Sequence, residues 1–290
     1  MFGLLNVNKP AGITSRDVVN HVQRIVRSDS AGHAGTLDPL ARGVVVVCIG
    51  PATRLVEYVQ RMPKQYTGTF LLGRQSDTED ILGTVVEQTD APRPTREEIE
   101  RTLPLFTGRI DQRPPVYSAL KVGGKRAYRL AREGKHVELK PRKVNVYEIR
   151  IVAYEYPELV LDIACGGGTY VRSLGRDMAA KLGTAAVMSD LVRTSIGRFS
   201  VEEACDLNEL TPQTIAARLM PALCAVDSLP VICLTEDEAG RIRHGMAIPN
   251  RLAVAGSEIA AQDGSGRLLA ILVPRGERDL GPTRNFPPDP

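Results

Sequence analysis

Residues 30–44 read Ser30-Ala31-Gly32-His33-Ala34-Gly35-Thr36-Leu37-Asp38-Pro39-Leu40-Ala41-Arg42-Gly43-Val44, and the chain continues through Val45, Val46, Val47 and Cys48. The β-branched and apolar run from Val44 reads as a buried strand. Before it, a single acidic residue, Asp38, sits between glycines on one side and Pro39 on the other. Glycine tolerates positive φ and lets backbone approach another molecule closely. Pro39 fixes its own φ and pushes Asp38 toward an extended conformation. A carboxylate presented on a loop anchored by a buried strand is one way to build a reactive site. The same residues also suit a plain turn in which Asp38 caps a backbone amide, since Asp and Pro are turn formers.

Outward from this loop the pattern is α+β without a regular βαβ rhythm. Residues 4–7 read as a strand and Lys9-Pro10-Ala11-Gly12 as a turn. Thr14 then opens a helix with Asp17 as its capping-box partner, and Val18, Val19, Val22, Ile25 and Val26 fall on one face. Residues 66–72 and 81–86 read as strands around a polar turn. Thr95 and Glu98 cap a second helix, which Pro104 ends. Residues 143–154 and Glu158–Cys165 alternate as an antiparallel pair joined through Pro157. Residues 169–182 follow as a helix closed by Gly183. After about Leu229 the pattern changes to short strands between Gly, Asn and Asp-Gly turns, ending in a Pro-rich tail. The expected division is therefore 1–228 and 229–290.

At 290 residues, with 43% apolar and 24% charged residues, the chain reads as a soluble globular protein of one large domain and a small one. No uninterrupted apolar run approaches the ~18 residues that cross a bilayer. The N-terminus lacks the basic and apolar regions of a secretory signal. The cysteines, Cys48, Cys165, Cys205, Cys224 and Cys233, are odd in number and widely spread, against a disulfide framework or structural zinc site. His21, His33, His136 and His244 show no metal-ligand spacing. The expectation is a cytoplasmic protein without metal or membrane.

The net charge of +3 hides a segregation. Residues 121–150 hold ten Lys or Arg against Glu133, Glu138 and Glu148, whereas residues 77–100 hold eight acids against two arginines. Such a basic segment fits a polyanion-binding surface and a solvated helix face equally well. Tyr117, Tyr128 and Tyr147 lie near or among the cations, which favours nucleic acid because rings can stack on bases. Three further stretches could carry chemistry. Cys165-Gly166-Gly167-Gly168-Thr169-Tyr170-Val171-Arg172 joins a strand to a helix; it lacks the Lys-Ser or Lys-Thr of a P-loop and the dinucleotide-fold glycine spacing. Lys64-Gln65-Tyr66 begins a strand. Pro114-Pro115-Val116-Tyr117-Ser118-Ala119-Leu120-Lys121 reads as a rigid turn, then a helix.

These pieces together resemble the TruB-type tRNA pseudouridine synthases. The resemblance is carried by Gly32 to Ala41, by Asn8-Lys9-Pro10, Lys64-Gln65-Tyr66 and Ser76-Asp77-Thr78-Glu79-Asp80. It also rests on Tyr117 to Lys121, Gly168 to Arg172 and Leu191-Val192-Arg193-Thr194, in family order across residues 1–200. Arg42 departs from it, standing where a small residue such as Thr is expected. The resemblance implies a mixed, largely antiparallel central sheet with flanking helices and a small β-rich, PUA-like C-terminal domain. It implies isomerisation of the T-loop uridine at tRNA position 55 without cofactor. Asp38 is then the nucleophile, Arg172 the cation that keeps it ionised, and Tyr66 the ring stacking on the target base. Tyr170 and Leu191 become the uracil-pocket walls, and His33 the residue entering the space left by the flipped base. Lys9 either faces RNA or braces the loop, and Lys125, Arg126 and Arg129 contact phosphates. The expected partner is the tRNA T-arm, bound by a monomer without an obligate protein partner. Two readings of other classes stand beside it: an RNA chaperone that refolds tRNA, and a hydrolase using Asp38 as base or metal ligand. The second lacks an acidic or histidine partner at motif spacing.

Overall fold

The apolar run after Asp38 folds as a strand, Arg42–Ile49, buried from Gly43 onward. The computed structural model describes residues 1–27, 30–118, 120–134, 137, 139–253 and 257–286. Its chain divides into two compact units, and this strand belongs to both. Met1–Asp38, Val44–Gln60 and Glu202–Pro290 form the first; Pro39–Gly43 and Arg61–Val201 form the second.

In the first unit the strand Gly3–Lys9 neighbours Arg42–Ile49 and pairs in parallel with Cys205–Asp206. The short strand Ala31–His33 pairs antiparallel on Arg42–Ile49, with His33 opposite Val47. The helix Ser15–Val26 carries the expected capping box of Thr14 and Asp17 and buries Val18, Val19 and Val22. Each such side chain contributes about 1.5–3 kcal/mol relative to exposure. A five-stranded sheet follows in the order Val231–Cys233, Ile259–Gln262, Leu268–Arg275, Asp279–Asn285, Ile248–Pro249. Ile232, Ile242, Ile259, Leu272 and Leu280 lie in its core, partly supplied by a helix, Glu236–Arg243, capped by Thr235 and Glu238. Phe2 stacks on Phe286 at 5.5 Å. The Tyr58 hydroxyl donates to Glu258 at 2.6 Å, and the Arg284 guanidinium lies over the Tyr58 ring at 5.0 Å.

The second unit is built on a sheet in the order Ala186–Ile196, Lys64–Leu72, Glu158–Cys165, Arg142–Glu155, Gly108–Gln112. All four pairings are antiparallel; Arg42 and Gly43 add a parallel contact against Val192 and Arg193, and Asp80 a parallel bridge to Met188. The helix Val171–Lys181 closes on this sheet where Gly175 lacks a side chain: a Cβ there would stand 2.1 Å from the Phe70 ring. The fold is thus the expected α+β arrangement with a mixed, largely antiparallel sheet.

Two expectations are corrected. Residues 81–86 are not a strand: only Val86–Glu87 pairs, with Arg74–Gln75. Leu82 N–H donates to the Asp80 carboxylate at 3.0 Å and Thr84 N–H to Asp77 at 2.9 Å, local bonds that replace a ladder. As expected, the helix capped by Thr95 and Glu98 gives way at Pro104. The helix Arg96–Thr102 ends before it, and Pro104 starts a 3-10 turn, Leu103–Phe106, where its missing N–H costs little. The helix expected after the rigid turn at 114–115 comes late: a hairpin of Lys121–Val122 and Lys125–Arg126 precedes a six-residue helix, Ala127–Arg132, while the strand expected over 143–154 forms as Arg142–Glu155. Ala119, Lys135, His136, Glu138 and the Pro-rich tail 287–290 lie outside the described residues. Among the described residues no helix is long and apolar enough to cross a membrane.

Candidate active site

Asp38, half-buried, follows a residue held from both sides. Leu37 N–H donates to Ser15 Oγ at 2.8 Å, and the Ser15 hydroxyl donates back to Leu37 O at 3.2 Å. Both residues are buried, so the loop is tied to the first turn of the helix Ser15–Val26. Upstream, Ala34 N–H donates to Val46 O at 2.9 Å, and Gly35 takes φ +123, which L side chains rarely adopt. Lys9 is fully buried, and its ammonium donates to Pro10 O at 2.9 Å and Ile13 O at 2.7 Å. These bonds brace the turn that leads into the same helix. His33 is half-buried at the end of its strand.

Pro39–Gly43 continue into the second unit. Gly43 has φ +104, and a Cβ there would stand 2.3 Å from the Arg193 carbonyl oxygen, so this position requires glycine. Arg42 pairs with Asp190 at 2.5 Å, with side chains 49% and 38% exposed. At that exposure the pair is worth about 0–1 kcal/mol.

Elsewhere in the second unit, Tyr66 lies opposite Arg193, and Gly68 opposite Leu191. Tyr66, Leu191 and Arg193 therefore share one face of the sheet, and all three are buried. Lys64, on the same strand and face, is buried too; desolvation, helped by Arg193, lowers its ammonium to about 8, with Cys165 opposing. Arg172 is 5% exposed. It donates to Thr78 O at 2.6 Å and Tyr117 O at 3.3 Å, and its guanidinium lies 3.6 Å from the Asp80 carboxylate. The run 76–80 is itself a tight knot: the Ser76 hydroxyl donates to Asp80 O, and that of Thr78 to the Asp80 carboxylate, each at 2.6 Å. Glu79, at φ +64, accepts from the Ser173 hydroxyl at 2.7 Å and pairs with Arg176. Burial pushes the Glu79 carboxyl above its usual range, Arg176 opposing.

Sequence reading named Arg172 but not the carbonyls and carboxylate that hold it. The signal was present in two places: an acidic run at 76–80, and Arg172 and Arg176 four residues apart on one helix. Lys125, Arg126 and Arg129 are exposed on the hairpin and short helix. Two other cations of the basic segment are engaged within the chain: Lys143, itself exposed, pairs with Asp111 at 2.9 Å, and Arg142, half-buried, lies over the Tyr170 ring at 4.9 Å. Among the described residues no group of three His, Cys, Asp or Glu is arranged to hold a metal ion. Chemically, the first unit offers a carboxylate on a braced loop, and the second an aromatic and apolar sheet face with a buried guanidinium.

Residues 23–171 match the family described as TruB family pseudouridylate synthase, N terminal domain. A tRNA pseudouridine synthase B of Caulobacter sp. (strain K31) is 40% identical, over 98% of this chain and 96% of the relative. Another of that name, from Caldanaerobacter subterraneus subsp. tengcongensis, is also 40% identical, over 98% and 99%. A chain in the crystal structure of a Cbf5-Nop10-Gar1 complex superimposes with a TM-score of 0.76 at 25% identity, over 98% of this chain and 84% of that one. With the motif loops, the mixed sheet and these likenesses together, the chain belongs to the TruB family of pseudouridylate synthases.

Proposed function

We propose that this chain isomerises the T-loop uridine at tRNA position 55 to pseudouridine. In this reaction the glycosidic C–N bond breaks, the uracil turns over, and a C–C bond to the same ribose carbon forms, so no atom is gained or lost. A covalent nucleophile divides that change into easier steps, and Asp38 is the carboxylate for it. The observation that carries this role is the two-way bond between Ser15 and Leu37, which holds the loop at the residue before Asp38; a preorganised nucleophile costs little to orient.

Tyr66 stacks on the base, Tyr170 and Leu191 wall its pocket, and Arg172 supplies the cation that favours an ionised nucleophile. Extracting a base from a folded loop costs roughly a few kcal/mol, and His33 fills the space left behind. Lys9 serves as a brace of the loop, in keeping with its bonds to Pro10 O and Ile13 O. Lys125, Arg126 and Arg129 give affinity through phosphates rather than sequence discrimination. Residues 229–290 form a PUA-like RNA-binding domain beside the catalytic residues 1–228, and the protein acts in the cytoplasm as a monomer without an obligate partner. The names of the relatives, tRNA pseudouridine synthase B, support tRNA as substrate.

The test is incubation of the purified protein with an unmodified tRNA transcript and a chelator, followed by mapping of pseudouridine. Product at the single T-loop position 55 is expected. Product at other sites would overturn the assignment of position, and tRNA refolding without product would favour the chaperone reading.

A further inference from the structure

We propose that Gln112 and Arg142 are positioning residues for Tyr170, one setting its main chain and the other its ring. The proposal rests on the reading of Tyr170 as a wall of the base pocket. Gln112 is fully buried at the end of the strand Gly108–Gln112. Its carboxamide makes a reciprocal pair: Oε1 accepts from Tyr170 N–H at 2.8 Å, and Nε2 donates to Tyr170 O at 3.0 Å. Tyr170 O also accepts from Leu174 N–H at 3.1 Å, but at this N-cap of the helix Val171–Lys181 there is no side-chain cap bond and the Tyr170 N–H needs an outside partner. The carboxamide meets that need and fixes the direction of the Tyr170 Cα–Cβ bond.

Arg142 fixes what remains free. Its guanidinium carbon lies 4.9 Å from the Tyr170 ring centroid, and the same group donates to Gly168 O. Its Nε is buried without a hydrogen-bond partner among the described residues. A guanidinium within about 6 Å of a ring centroid makes a cation–π contact, strengthened as its N–H groups lose water. With one ring face covered, a substrate base has only the opposite face or the edge to pack on. Gln112 and Arg142 are also direct cross-strand partners in the antiparallel ladder. Both halves of the clamp therefore come from one register position, and Arg142 serves the pocket rather than the phosphate-binding surface.

Arg142→Lys separates those two roles, because it keeps the charge and loses the planar face. In the full chain, single-turnover conversion of unmodified tRNA should fall on the order of tenfold to a hundredfold, the scale of small misplacements, with Kd for tRNA within about twofold of the parent value. Gln112→Glu, which can accept but not donate, should behave alike. In a Tyr170→Ala background the Arg142→Lys change should cost nothing further. An unchanged single-turnover rate for Arg142→Lys, or a loss confined to Kd, would overturn the proposal. If Gln112→Glu fails to fold, the Arg142→Lys result decides alone. Tyr170→Ala converting tRNA at the parent rate would instead overturn the pocket reading, and the clamp with it. A slow Tyr170→Ala beside a normal Arg142→Lys would overturn the clamp only.

Discussion

Ser15 and Lys64 are small parts of the chain with measurable consequences. Without its hydroxyl, Ser15→Ala leaves the buried Leu37 N–H unpartnered, at a cost of about 1–3 kcal/mol. We expect a lower urea midpoint, and a turnover rate that falls more than tRNA affinity does. Lys64 sets a pH dependence. Its folded value near 8 lies below the ordinary 10.5, so between these values the unfolded chain holds a proton that the fold has shed. Stability from this group therefore rises as pH climbs from about 8 to about 10.5. Urea midpoints at pH 7.5 and 10 should rise less in Lys64→Met than in the parent; an equal rise in both would contradict the assignment. Asp38 and its glycine frame were legible because the loop's residue types are themselves unusual. Ser15 was not, since nothing at the start of a helix points to a partner 22 residues away. Arg42 was visible as a departure, and its partner Asp190 came only with the fold.

The helix Val171–Lys181 shows how an element can invert a local rule. Alanine normally stabilises a helix relative to glycine by roughly 0.5–1 kcal/mol. At Gly175 a Cβ would meet the Phe70 ring at 2.1 Å, and overpacking costs about 1–3 kcal/mol. Gly175→Ala should therefore lower the melting temperature, read by thermal unfolding; a rise would mean that Phe70 has room to move. The capping boxes at Thr14 and Thr95 were legible because side chain and backbone satisfy each other within four residues. The same signature at Thr235 and Glu238 went unread among strand-like surroundings. The strand Ala186–Ile196 was missed because its polar positions, Ser189, Asp190 and Arg193, interrupt the alternation. The strand expected at 81–86 failed for the opposite reason. Ile81, Leu82, Val85 and Val86 are strand formers by type, but Asp77 and Asp80 capture the backbone first.

Across the whole molecule, charge is distributed more finely than the sequence suggests. Lys143 and Arg142 of the basic segment are engaged with Asp111 and Tyr170, while Lys125, Arg126 and Arg129 are exposed. Neutralising these last three together should weaken tRNA binding and flatten its dependence on salt. An unchanged slope in a titration over salt concentration would place the RNA elsewhere. The central claim concerns Asp38, and it is tested most directly by Asp38→Asn with unmodified tRNA, measuring pseudouridine formation and tRNA affinity together. We expect binding close to that of the parent protein and no pseudouridine, whereas continued formation of pseudouridine by the variant would contradict Asp38 as the nucleophile.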